Sequence, residues 1–248
     1  MDCQFGGPTC TSRGAYLLAQ LKNASVIDRM ATSFYLGPDD ASVPSARMIV
    51  GGAYDKAKIE GELFTVKMLN PFDLNLANGQ TNTVNVTATE FVRSDGNITA
   101  ETYGEKDVGV PVLLDTGIAS WYMTDTIFDV VWRALGAFGT YVPGTRVSVI
   151  DCKYRDPSNS KGHVSVTFGT AGKIDVPLYT LVSLFSDGTC GTFIAPRGDV
   201  PATLGDPFLR GAYTIFDQES LSITLGQVKH TDDEEIVPFP EGGFKASS

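Results

Sequence analysis

The sequence predicts an all-β fold with about two short helices, and three observations carry that expectation. Short segments of strand-forming residues follow one another along most of the 248 residues, punctuated by Gly37-Pro38, Gly51-Gly52, Asn70-Pro71 and Asn78-Gly79. Between Val84 and Thr89 apolar and polar residues alternate with the period of a strand. Val84, Val86 and Ala88 face one way, and Asn85, Thr87 and Thr89 the other. Finally, the apolar run Val112–Leu114 drives straight into Asp115-Thr116-Gly117, so a strand ends by presenting a carboxylate.

Taken in order, Thr11–Asn23 reads as an amphipathic helix with Leu17, Leu18 and Leu21 on one face and Thr11 or Ser12 as cap. Strands are expected at Ser33–Leu36, Met48–Val50, Leu63–Met68 and Val84–Val92. A second helix is expected over Thr126–Leu135. Ile127, Val131 and Leu135 recur there at four-residue spacing, with Asp129 and Arg133 off the stripe and Gly136 as the stop. More strands follow at Val147–Ile150, His163–Phe168, Ile174–Pro177, Thr192–Ala195, Tyr213–Phe216 and Leu221–Leu225. His163 opens one of these strands and His230 lies in a polar tail, so neither is assigned chemistry. The acidic run Asp232–Glu235 reads as solvated surface, and the apolar and proline residues of Ile236–Pro240 as a terminus that docks. No repeat and no linker is visible, and one domain is expected.

Composition narrows the functional classes. A formal charge of −10 argues against nucleic acid or an anionic membrane as partner. No apolar run reaches the roughly 18 residues of a membrane span. Two histidines and four cysteines without a Cys-x-x-Cys pair are too poor a supply for a zinc site, so no metal is expected. Sequons at Asn23, Asn85 and Asn97, with an even cysteine count, lean toward the secretory pathway. The first residues lack a basic start before an apolar segment, so no signal peptide is expected in this stretch, and a secreted protein would extend upstream.

The centre of the chemistry is Asp115. A carboxylate directly after three apolar residues is costly to bury unless other groups hydrogen-bond it. Gly117 lets the chain turn sharply and lets another backbone approach, while Thr116 offers a hydroxyl. Taken alone, the tripeptide also fits an ordinary turn after a core strand. About ninety residues later comes Thr203-Leu204-Gly205-Asp206-Pro207-Phe208-Leu209-Arg210, and Leu204-Gly205 suits a strand crossing close under another backbone.

LLDTG at 113–117, TLGDPFLRGAYTIFD at 203–217 and SITLGQ at 222–227 together resemble the pepsin-like aspartic peptidases, specifically the C-terminal lobe of a fungal secreted member. SFYLG at 33–37 and MIVGGAYDKAKIEGEL at 48–63 resemble the segments leading into that lobe. The resemblance implies an all-β, double-ψ-type barrel lobe over 31–228. Residues 1–30 would then be a remnant of the segment joining two lobes, and 229–248 an acidic tail. It implies that Asp115 is a catalytic aspartate, that Thr116 and Gly117 shape its loop, and that Leu204 and Gly205 form the ψ crossing. Ile118 and Ala119 become candidates for the substrate cleft, and Asp206 takes a structural position. Cys152 and Cys190 fall where such a lobe carries its disulfide. Cys3 and Cys10 are near enough for a local bridge, or for bonding to a preceding lobe. The implied substrate is a peptide or protein, with no cofactor.

Two departures shape the expected function. The 248 residues hold one Asp-Thr/Ser-Gly, so the chain carries half of a catalytic dyad and is expected to be inactive without an N-terminal lobe. Ile118 stands where the family has Thr or Ser donating to the carboxylate, from which a less acidic optimum of the complete enzyme is expected. The alternatives are a non-catalytic pepsin-like binding or inhibitor protein and, less favoured, a homodimer with one motif per chain.

Overall fold

A computed structural model describes residues 17–39, 46–70, 82–103, 109–137 and 148–246. The expected strand punctuation is realised at Gly37, Gly51 and Gly52, whose φ values of 72°, 108° and 99° lie in the left-handed region that glycine enters at no steric cost.

The largest antiparallel sheet runs Arg47–Val50, Ala31–Tyr35, Ala212–Asp217, Ser222–Val228, Ile59–Lys67. Every residue of Ala212–Asp217 is buried, which explains the near-continuous apolar run of that strand. Its buried carboxylate is compensated by partners. The Asp217 carboxylate takes Arg29 Nε at 2.8 Å and the Glu219 N–H at 3.0 Å.

A second sheet, ordered Ile194–Pro196, Trp121–Met123, Thr203–Leu204, Val110–Leu114, Thr83–Val86, is mixed. Thr203 and Leu204 pair in parallel with Leu113 and Leu114, while Thr203 pairs antiparallel with Tyr122. Thr203–Leu204 is thus hydrogen-bonded between Val110–Leu114 and Trp121–Met123. The fold is mostly β with three α-helices among the described residues, as expected for the lobe, and its sheets there do not close into a complete barrel.

The third sheet is antiparallel, in the order Gly172–Pro177, Gly162–Phe168, Ala88–Arg93, Ile98–Thr102. It corrects the expected single strand Val84–Val92. The chain breaks at Thr87, whose hydroxyl donates to Thr167 O at 3.2 Å and accepts the Gly169 N–H at 3.0 Å. The break reverses the phase of alternation. Thr87 and Thr89 are therefore buried and Ala88 is half-exposed, opposite to the faces their polarity suggests.

The helix Asp125–Ala134 lies where its period placed it, with Ile127, Val131 and Leu135 fully buried and Asp129 paired to Arg133 at 3.7 Å. Leu17–Asn23 is helical, within the span expected for the first helix. Leu18 and Leu21 are half-buried, while Leu17, one turn before Leu21, is exposed. Thr11, Ser12, Cys3, Cys10 and the Asn78-Gly79 turn lie outside the described residues. A one-turn helix, Asp206–Leu209, was not anticipated and starts on Gly205.

Two smaller sheets complete the fold. Ser148–Ile150, Cys190–Thr192 and Ser183–Leu184 form one, and Cys190 is bonded to Cys152. Ile236–Pro238 pairs antiparallel with Ala53–Asp55, so the terminus docks as expected. Tyr54, Phe239 and Phe244 cluster there, with ring centroids 5.1–6.1 Å apart. The core lies between the sheets and holds Leu114, Ile127, Val164, Ile174, Ile194 and Phe208. Fully burying a side chain such as Phe208 contributes roughly 1.5–3 kcal/mol.

Candidate active site

Asp115 is the first residue beyond the strand Val110–Leu114, whose Val112 and Leu114 are buried. The neighbouring crossing strand holds it from one side. Leu113 N–H donates to Ala202 O at 3.0 Å and Asp115 N–H to Leu204 O at 3.1 Å, while Leu114 N–H reaches Asn82 O at 2.9 Å on the other side. The strand end is thus fixed by backbone bonds on both flanks, and Asp115 itself is half-buried. A rigid floor under one carboxylate is what a positioned acid–base group needs.

Beyond Asp115 the chain turns. Thr116, Gly117 and Ala119 are exposed, and Ile118 is half-buried. Gly117 N–H donates to Asp115 Oδ1 at 2.8 Å, which orients the carboxylate. Gly205 packs against this turn. A Cβ there would stand 2.4 Å from both Ile118 O and Ser120 O, so only glycine lets the two segments cross. The crossing is closed by Asp206 N–H donating to Ile118 O at 3.1 Å. Trp121 and Phe208 meet edge to face beneath it at 5.7 Å.

A second carboxylate belongs to this neighbourhood. Burial raises the Asp206 carboxyl above its ordinary range. The charges of Asp115 and Asp39 push the same way, and Arg210 opposes them. Arg210 pairs with Asp39 at 3.3 Å and donates to Gly37 O at 3.3 Å, tying the end of the Ala31–Tyr35 strand region to the helix after the crossing. Sequence reasoning missed Asp39 altogether. Its role depends on a partner 171 positions away, and no local pattern signals that.

The structure therefore brings Asp115, Thr116, Gly117, Ile118, Ala119, Leu204 and Gly205 into one locality, and leaves other singled-out residues elsewhere. His163 faces Asp175 at 3.8 Å, and His230 Nδ1 lies 3.1 Å from the Tyr35 hydroxyl. Cys152 and Cys190 are joined. Asn23 ends a helix, Asn85 lies within a strand and Asn97 sits at a hairpin tip. Among the described residues, no group of three or more His, Cys, Asp or Glu side chains is placed to hold a metal. No described helix is long and apolar enough to cross a membrane.

Comparison with known proteins agrees with this geometry. The family described as Eukaryotic aspartyl protease matches residues 8–228. The chain is 30% identical over 234 residues to Secreted aspartic protease 9 of Candida albicans, covering 92% of this chain and 40% of that protein. It is 31% identical over 223 residues to Aspartic proteinase yapsin-3 of Saccharomyces cerevisiae, covering 88% of this chain and 40% of the other. It is 31% identical over 222 residues to Candidapepsin-4 of Candida albicans, covering 88% and 47% respectively. The chain spans less than half the length of each of these relatives.

Proposed function

Because this chain belongs to the eukaryotic aspartyl protease family, we propose that it supplies one of the two carboxylates of a peptide-bond-hydrolysing site, with Asp115 as that residue. The observation that carries the reading is the delivery of Asp115 at a strand end fixed on both flanks, one oxygen held by Gly117 N–H and the loop around it exposed.

The chemistry explains why a single carboxylate is not enough. Two close carboxylates cannot both ionise, so they share a proton. The ionised one takes a proton from water as it attacks the peptide carbonyl, and the protonated one donates to the carbonyl oxygen. With one Asp-Thr-Gly in its 248 residues, this chain contributes one member, and an N-terminal lobe contributes the other. Thr116, exposed beside Asp115, would grip the opposing loop. Ile118 and Ala119 would border the bound peptide, and Leu204 and Gly205 hold the loop from below. Without the second lobe the chain is inactive. The Cys152–Cys190 bond, and relatives whose names call them secreted, support passage of the parent protein through the secretory pathway.

One feature favours a second reading, a lobe that binds peptides without cleaving them: Ile118 gives no hydroxyl to the carboxylate loop. A two-lobe protein carrying this chain separates the readings. Peptide cleavage at acidic pH that vanishes in Asp115→Asn supports catalysis. Peptide binding without cleavage, unaltered by Asp115→Asn, overturns it in favour of binding.

A further inference from the structure

We propose that Asn97 carries an N-linked oligosaccharide that shields an otherwise open sheet edge, an inference that rests on the secretory reading above. The sequon Asn97-Ile98-Thr99 begins immediately after the turn joining Ala88–Arg93 to Ile98–Thr102. That turn is ordered. Asn97 N–H donates to Asp95 Oδ1 at 3.0 Å, Arg93 N–H donates to Asn97 O at 2.9 Å, and Gly96 takes a φ of 81°. Asn97 is itself exposed, at the outermost corner of its sheet.

The strand it precedes is the vulnerable one. Ile98–Thr102 is the terminal strand of its sheet, and among the described residues no strand pairs with its outer side. Its burial alternates. Thr99 and Glu101 are half-buried, with Glu101 accepting the Thr124 hydroxyl at the start of the Asp125–Ala134 helix. Ile98, Ala100 and Thr102 face outward, and Ile98 is 58% exposed. An unpaired edge with an outward isoleucine and no Lys or Pro to interrupt it is a template for edge-to-edge pairing. A bulky, hydrated glycan at its first residue blocks that approach.

The other two sequons differ. Asn85 is half-buried within Thr83–Val86 opposite Pro111, and its Thr87 is buried and committed to Thr167 and Gly169. Asn23 is exposed, but it ends a helix beside the Lys22–Glu219 ion pair rather than opening a strand. In the transfer step the Asn97 amide nitrogen bonds to C1 of an oligosaccharide delivered on a lipid pyrophosphate. The C1–O bond to the pyrophosphate breaks, and the amide gives up one proton. The nitrogen keeps its second hydrogen.

The test is to secrete the full chain from a eukaryotic host behind a leader, as wild type, Asn97→Gln and Thr99→Ala, and to compare intact masses before and after peptide N-glycosidase. Both variants should lack one glycan that the wild type carries. A secreted wild type with unmodified Asn97 overturns the proposal. On a sizing column the Asn97→Gln protein should elute as a larger species, and adding Ile98→Lys should return it to the wild-type position. Identical elution of all three overturns the shielding role. Because the leader supplies entry to the pathway, these outcomes bear on Asn97 alone. The secretory reading is judged separately, by whether Cys152 and Cys190 are oxidised in the protein from its own cells.

Discussion

Replacing Gly205 by alanine tests the crossing that holds the Asp115 loop. Gly205 has a φ of −97°, open to any residue, so the penalty is steric and not conformational. The new methyl would stand 2.4 Å from Ile118 O, 2.4 Å from Ser120 O and 2.8 Å from Ile118 Cγ2. Two of these atoms are backbone, and backbone cannot swing aside as a long side chain can. Overpacking typically costs about 1–3 kcal/mol, and contacts this short place Gly205→Ala at the upper end, about 3 kcal/mol. At roughly 2–4 °C per kcal/mol for a domain of this size, Tm should fall by about 6–12 °C. Guanidinium unfolding followed by tryptophan fluorescence reads the change directly, because the buried Trp121 packs against Phe208 beside the crossing. Gly117→Ala is the internal comparison. Its methyl would meet only Asp115 Oδ1, at 3.3 Å, and it should cost under about 1 kcal/mol. Equal losses in the two variants would refute the crossing as the support of the loop.

Three further expectations follow from the packing. Replacing both Cys152 and Cys190 by serine opens a loop spanning 38 positions, and should cost about 3–4 kcal/mol in a denaturant titration; no change in midpoint would contradict it. Asp55, fully buried, accepts the Ala57 and Glu235 N–H groups, so Asp55→Ala should cost about 1–3 kcal/mol and speed amide exchange at Glu235–Val237 above that in the core strands. Unchanged exchange there would show that the terminal strand is held without Asp55. Asp206 has a carboxyl raised by burial, so the folded state binds its proton more tightly than the unfolded chain and ionisation at neutral pH weakens the fold. Asp206→Asn should therefore raise Tm at pH 7. The gain should shrink as pH falls through the raised folded value, and vanish below the ordinary aspartate value of about 3.9. A variant less stable than wild type at pH 7 would reverse that sign.

What could be read from the sequence was local or carried by glycine. The Val112–Leu114 run and the Leu204-Gly205 pair announced the two strands that cross, because apolar runs and a residue without Cβ have few other uses in that order. The helix at Asp125–Ala134 was legible for the same reason, since Ile127, Val131 and Leu135 repeat at its period. Thr87 was misread, because a threonine in an alternating run looks solvent-facing. Its hydroxyl is instead spent on Thr167 and Gly169, some eighty positions away. Asp39 and Arg210 escaped notice likewise, since charge pairing across the fold leaves no periodic trace. The short strands Ala53–Asp55 and Ile98–Thr102 went unassigned, one made by the returning terminus and the other by a hairpin whose polar alternation is weak.

Peptide hydrolysis at acidic pH by the purified chain, alone and then joined to an N-terminal lobe, decides whether Asp115 needs a partner carboxylate. The expected result is no turnover above the Asp115→Asn background for the chain alone, and Asp115-dependent turnover once the lobe is joined. Asp115-dependent cleavage by the chain alone would contradict it.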